Sequence, residues 1–211
     1  MMVPESDAGK AYKILERLVV TLELAPGRQM TEGALIRCVG LGRTPVREAI
    51  QRLAWQGFLH VHPRAGLSVA PLERADWLKV IEARHGAEIV LARSAARFAS
   101  ENLLSQFRDA ALWMEDAVLS GSVIAFLDAD KLLDEALAAA AENPYAARLV
   151  APLQTHSRRF WFRYQSTNGL PRVAEQHVRL IRAFLNRDEE EAAREADALM
   201  QLLRKFAEAV R

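Results

Sequence analysis

Apolar residues recur every three or four positions through most of this 211-residue chain, and in one stretch, just after Gly57, the period shortens. A period near 3.6 lets a helix bury one face, whereas short apolar segments around a turn suit strands. The chain is therefore expected to be mainly α, with one small β element in its first third. A content of 51% hydrophobic and 26% charged residues supplies both a core and a solvated surface. No run approaches the roughly 18 uninterrupted apolar residues of a membrane span, and the opening MMVPESDAGKAYK is polar where a secretory signal has an apolar core. A cytoplasmic protein with no membrane partner is expected.

In the first third, Ile14, Leu15, Leu18, Val19 and Leu22 lie at helical spacing, predicting a helix over 11–24 that Ala25-Pro26-Gly27 stops. Thr31 is a plausible N-cap for a second helix carrying Ala34, Leu35, Cys38 and Val39 and ending at Gly40. After the turn Gly40-Leu41-Gly42, a third helix is expected to start at Thr44-Pro45, with Thr44 as N-cap and Pro45 at the first helical position. Its inward stripe is Val46, Ala49, Ile50 and Leu53. Two helices joined by a short glycine turn make a helix-turn-helix, whose second helix enters the major groove of DNA. Arg43 and Arg47, four apart, would project together from its start, where guanidinium groups can fork onto guanine or phosphate. The segments 58–62 and 67–70, around Pro63-Arg64-Ala65-Gly66, read as a β-hairpin wing with Arg64 at its tip.

Charge follows the same division. Residues 1–72 hold nine Lys and Arg against six acids, a balance of +3; the whole chain is +1, so 1 − 3 leaves −2 for 73–211. A basic head on a slightly acidic body suits a DNA-reading module joined to a sensing module. The single cysteine, Cys38, has no partner for an internal disulfide and is expected to be a buried small hydrophobe.

The strings Gly42-Arg43-Thr44-Pro45-Val46-Arg47-Glu48-Ala49-Ile50, Gln56-Gly57-Phe58-Leu59 and Arg64-Ala65-Gly66-Leu67-Ser68-Val69 resemble the winged helix-turn-helix of the GntR superfamily, from about Tyr12 to Leu72. The resemblance implies that Arg43, Thr44, Arg47 and Gly66 contact double-stranded operator DNA, and that the protein works as a homodimer. Two positions depart from the family pattern. Gly42 stands where a Ser or Thr is usual, and Gly33 where an arginine is common.

Beyond residue 73 the chain reads as helices over about 74–99, 101–120, 122–141, 144–166, 171–186 and 188–210, broken at Gly121, Asn143-Pro144, Asn168-Gly169-Leu170-Pro171 and Asn186-Arg187-Asp188. An antiparallel bundle of about six helices is the expected architecture, with a ligand site between facing helices. The organisation is thus a winged helix-turn-helix in 1–72 and an all-helical effector-binding and dimerisation domain in 73–211. Polar residues on apolar faces nominate the site: Asp130 and Asp134, four apart on one helix, His177 on a later one, and the i, i+4 pair Arg84 and Glu88. Taken singly, the Arg84 and Glu88 pair reads as a surface pair and His177 as a structural histidine.

This segment resembles the FCD domain of FadR-type regulators through Asp130, Leu137, Asn143-Pro144, His177, and Asp188 with Ala192. In many such proteins one aspartate and three histidines hold a divalent metal whose shell a carboxylate metabolite completes. Here Asp130 and His177 match ligand positions, but Asp134 and Leu199 replace histidines. Leucine cannot coordinate, and a carboxylate favours harder ions. No cofactor is implied with certainty. The expectation is a pocket for a polar ligand or a weakly bound hard divalent metal, with Arg84 gripping a small carboxylate effector and Arg158 and Arg159 as weaker candidates. The leading function is a ligand-responsive DNA-binding transcriptional regulator. The alternatives are a helical interaction module with a degenerate pocket and, ranked lower, a metal-dependent hydrolase using Asp130, Asp134 and His177, for which no nucleophile motif or phosphate loop is present.

Overall fold

The first helix begins where a hydroxyl can hold it. In the computed structural model, which describes residues 5–165 and 169–210, Ser6 accepts the amide of Gly9 at 3.1 Å and opens α1 (Asp7–Val20). The expected span of 11–24 is thus displaced toward the N-terminus, because Leu22 takes a left-handed backbone (φ 59°) and ends the helix before Ala25-Pro26-Gly27 is reached. Leu24 is still buried, so its apolar character reports packing and not helix.

The chain divides between Glu73 and Arg74 into two units. The first contains α1, β1 (Gln29–Met30), α2 (Glu32–Val39), α3 (Arg43–Trp55), β2 (Leu59–His62) and β3 (Gly66–Val69). Thr31 caps α2 through the amide of Ala34, and Gly40 closes it in the left-handed region (φ 73°), as the sequence predicts. Leu15, Leu35, Val46, Leu53, Phe58 and Val69 form the core of this unit. Burying each such side chain contributes about 1.5 to 3 kcal/mol. Arg52 lies 3.7 Å over the Tyr12 ring, and the Tyr12 hydroxyl donates to Gln56 Oε1 at 2.9 Å, pinning α1 to the end of α3.

Three expectations for this unit are corrected. The N-cap of α3 is Gly42, not Thr44: the amide of Val46 bonds to the Gly42 carbonyl, so the helix starts at Arg43 and no side chain caps it. Cys38 is exposed, because the buried arc of α2 is centred on Leu35 and Val39, and one residue before Val39 the helix has turned by about 100°. The hairpin has a third strand, β1, pairing antiparallel with β3 in the order β1-β3-β2. Two residues are too few to show a period.

The second unit is six helices among the described residues: α4 (Arg74–Phe98), α5 (Glu101–Ser120), α6 (Val123–Ala140), α7 (Pro144–Tyr164), α8 (Gly169–Leu185) and α9 (Glu189–Ala209). Ser100, Ser122, Asn143 and Asp188 each cap the helix that follows, and Gly121 (φ 64°) ends α5. These are the expected breaks, except at Asn168-Gly169-Leu170-Pro171: Asn168 lies outside the described residues, and α8 already includes Gly169, Leu170 and Pro171. The helix α4 packs against α7 and α9, α5 against α6 and α8, and α8 against α9. Trp77, Phe107, Phe126 and Phe184 fill the interior.

Candidate nucleic-acid interface and buried polar cluster

On the first unit the outward side of α3 carries Arg43, Thr44, Arg47, Glu48 and Gln51, all exposed. Arg43 and Arg47 lie four apart and so share the side expected of them. Arg47 does not stand alone: its Nε donates to Glu32 Oε1 at 2.7 Å, in the first turn of α2. Sequence reasoning missed Glu32 because the two residues are fifteen apart on different helices.

The wing tip is a tight turn in which the amide of Ala65 bonds to the His62 carbonyl at 3.0 Å. Pro63 occupies the second turn position and Arg64 the third, with φ 63°, as in a type II turn. That conformation costs a non-glycine residue roughly 1 kcal/mol, and the exposed Arg64 stands at the apex of the turn. Gly66 has a structural reason to be glycine. Its φ is 93°, and a Cβ there would fall 2.7 Å from the carbonyl oxygen of Met30 in β1. Gly33 and Gly42 are unlike it, since a Cβ on either meets only ordinary contacts.

In the second unit the sequence-nominated residues come together, along with others. From α4, Arg84 and Glu88 are both buried, so the expected surface pair is an interior one: Arg84 Nε lies 2.7 Å from Glu88 Oε1, which also accepts from Gln154 Nε2 at 3.1 Å. From α6 come Asp130 and Asp134, with side chains 16% and 13% exposed. From α7, Arg158 reaches both with the same nitrogen: Nη1 is 3.3 Å from Asp130 Oδ2 and bonds closely to Asp134 Oδ2. Its Nη2 donates to Thr155 Oγ1 at 2.9 Å. From α8, His177 Nε2 lies 3.0 Å from Asp130 Oδ1, and Nδ1 lies 2.7 Å from the Val173 carbonyl. A carbonyl only accepts, so Nδ1 carries a proton.

The electrostatics follow from this crowding. Burial alone would raise Asp130, but hydrogen bonding to His177, the charge of His177, and the charges of Arg158 and Arg84 hold it down to about 2. Asp134 goes the other way, to about 7, because burial and the neighbouring Asp130 charge outweigh the pull of Arg158. His177 is raised: burial opposes its charge, yet the Asp130 contact overcomes it. Burial lowers Arg159 to about 10, and this residue does not line the cavity described next.

Arg84, Asp130, Arg158 and His177 border a cavity of about 20 Å3 together with Phe126 and Trp161. That is room for about one water molecule. The buried indole N–H of Trp161 has no hydrogen-bond partner among the described residues. Arg158 proves the central cation of the cluster, while Arg84, favoured from sequence, is held by Glu88.

The two units correspond to two matches with known families. Residues 8–69 match the bacterial regulatory proteins of the gntR family and residues 79–202 match the FCD domain. The chain belongs to the GntR family and carries an FCD domain. It is therefore a DNA-binding transcriptional regulator by type. The HTH-type transcriptional repressor RspR of Escherichia coli K12 is 25% identical over 201 residues, covering 95% of this chain and 87% of that protein. An HTH-type regulator from an unstable DNA locus of Streptomyces ambofaciens is 40% identical over 79 residues, a match spanning 37% of this chain and 32% of that protein. The structure of E. coli McbR/YncC superposes with a TM-score of 0.79 at 19% identity, over 95% of each chain, which supports the fold. No helix among the described residues is long and apolar enough to cross a membrane.

The metal that FCD resemblance implies can be tested against these donors. Both oxygens of Asp130 and one of Asp134 are engaged by His177 and Arg158, and Leu199 is buried without any donor. Among the described residues no group of three or more His, Cys, Asp or Glu side chains is arranged to hold a metal. The residues do not fit the family's metal shell.

Proposed function

We propose that this regulator binds a pseudo-palindromic operator as a homodimer, through Arg43, Thr44, Arg47, Arg64 and Gly66, and that a small carboxylate metabolite in the helical unit changes its affinity. It acts without catalysis. The observation that carries the effector reading is that Arg84, Arg158, His177 and Trp161, whose indole N–H has no partner among the described residues, line one cavity together with Asp130. Donors desolvated in this way are complementary to a ligand made of acceptor oxygens. Dimer formation follows from operator symmetry, since two recognition helices read half-sites about one helical turn apart.

A second reading, a helical interaction module without a small ligand, is favoured by the cavity's size. At about 20 Å3 it admits a metabolite only if side chains part. Melting the full chain against a panel of small carboxylic acids separates the two: a saturable rise in Tm supports sensing, and no rise across the panel supports the module. Selection of binding sites from random DNA at fixed salt tests the first half of the proposal, and failure to enrich a palindrome would sink it.

A further inference from the structure

Two carboxylates one helical turn apart in dry surroundings need a cation, because each disfavours the charge of the other. We infer that Arg158 is the resident cation of the cluster formed by Asp130, Asp134 and His177, and that its guanidinium closes the cluster to divalent metal. This goes beyond the effector proposal and does not depend on it.

The geometry is that of a built-in charge. One nitrogen, Nη1, serves Asp130 and Asp134 together, while Nη2 is anchored to Thr155 one turn earlier on the same helix. The guanidinium is therefore oriented by its own helix and is not free to swing toward solvent; Arg158 is only 7% exposed. An incoming metal ion would have to take the oxygens that Arg158 holds and then sit beside a fixed positive charge, with little water to screen the repulsion. Guanidinium also stays charged at any ordinary pH, so the cluster keeps its cation under conditions that would strip a metal from carboxylate and imidazole.

The converse is a gain of function. Without the guanidinium, Asp130 and Asp134 lose their shared partner, and with His177 Nε2, 3.0 Å from Asp130 Oδ1, they supply two carboxylates and an imidazole, donor types that suit Mn2+ or Zn2+ once the side chains turn toward a common ion. Arg158→Ala, which leaves those donors in place, is expected to create a metal site that the natural protein lacks.

The experiment compares the full-length protein with Arg158→Ala, both stripped with chelator, equilibrated with Mn2+ or Zn2+, and read by metal content and by melting. The natural chain is expected to hold less than about one-tenth of a metal per chain and to show no saturable rise in Tm. The variant is expected to hold about one and to rise in Tm with metal. Asp130→Ala added to the variant should abolish the gain; equal binding by the double variant would overturn the inference. Stoichiometric metal in the natural protein would overturn it too, as would a folded Arg158→Ala that binds none. Should Arg158→Ala fail to fold, Arg158→Gln is read in the same way, and the titration of the natural chain still decides.

Discussion

Two arginine–carboxylate pairs in this protein have similar chemistry and opposite meanings. Arg47 with Glu32 is exposed, at 67% and 36% of the side chains, whereas Arg158 with Asp134 is enclosed, at 8% and 13%. Water screens the first pair, so it contributes about 0 to 1 kcal/mol, and a phosphate can replace Glu32 as partner at little cost. The second has no water to fall back on, and removing one member strands the other. Surroundings, more than the bond itself, leave one arginine open to solvent and make the other a fixed part of the interior.

The largest effect expected from this contrast is in the interior. Without added metal, Arg158→Ala should lower unfolding free energy in urea by about 3 to 5 kcal/mol, while Glu32→Ala should stay within about 1 kcal/mol. Equal losses at the two sites would break the comparison.

Gly66→Ala comes next, with a loss of about 1 to 3 kcal/mol, because the substituted residue keeps a strained backbone and meets the Met30 carbonyl at 2.7 Å. Gly42→Ser should do the reverse, raising stability by a few tenths of a kcal/mol, about what a capping hydroxyl adds over glycine at the uncapped start of α3. Thermal melts of the two variants check both signs.

On the exposed side the expected readout is DNA binding. Arg43→Ala should weaken operator affinity and reduce the slope of log K against log salt by about one. Gly33→Arg should steepen that slope by about one, since a side chain fits there. An unchanged slope in either variant would remove that position from the interface.

A further effect expected in the interior is a pH dependence of stability. Asp134 has a folded value of about 7 against an ordinary 3.8, so between these the folded state holds a proton that the unfolded state has lost. Its contribution is therefore full below about pH 4 and declines as pH rises through 7. His177, raised above 6.5, adds a loss of the same sign beginning near neutrality. Asp130, lowered to about 2, acts only between about pH 2 and 4, where stability grows with pH. The protein should melt a few degrees higher at pH 6 than at pH 8, and Asp134→Asn should flatten that difference. A difference undiminished by Asp134→Asn would place the main titrating group elsewhere, since His177 alone leaves a smaller one.

Much of the first unit was legible because its signals are local. A threonine cap, a left-handed glycine and a Pro/Gly turn act within a few residues, and they fixed α2, the start of the recognition helix to within one or two residues, and the wing. The departures are local competitions that sequence leaves even: Gly42 instead of Thr44 as cap, and Leu22 instead of Pro26 as the stop of α1. In the second unit, the i, i+4 spacing of Asp130 and Asp134 predicted a shared direction, and His177 was found as a polar residue on an apolar face. Arg158 could be ranked only as a weaker candidate. Its carboxylates lie 28 and 24 residues away, and no spacing rule reaches across two helices.

By itself the amino-acid sequence determined the period of each segment, where most helices begin and end, and which arginines stand at the start of α3 and the tip of the wing. Periodicity and capping are properties of a residue and its near neighbours. Only the tertiary structure decided that Arg47 is aimed by Glu32, that Gly66 is pressed against β1, and that Arg158 and not Arg84 bonds to both aspartates. Charge pairing depends on distance through space and on the water excluded there, and both are set when the helices pack.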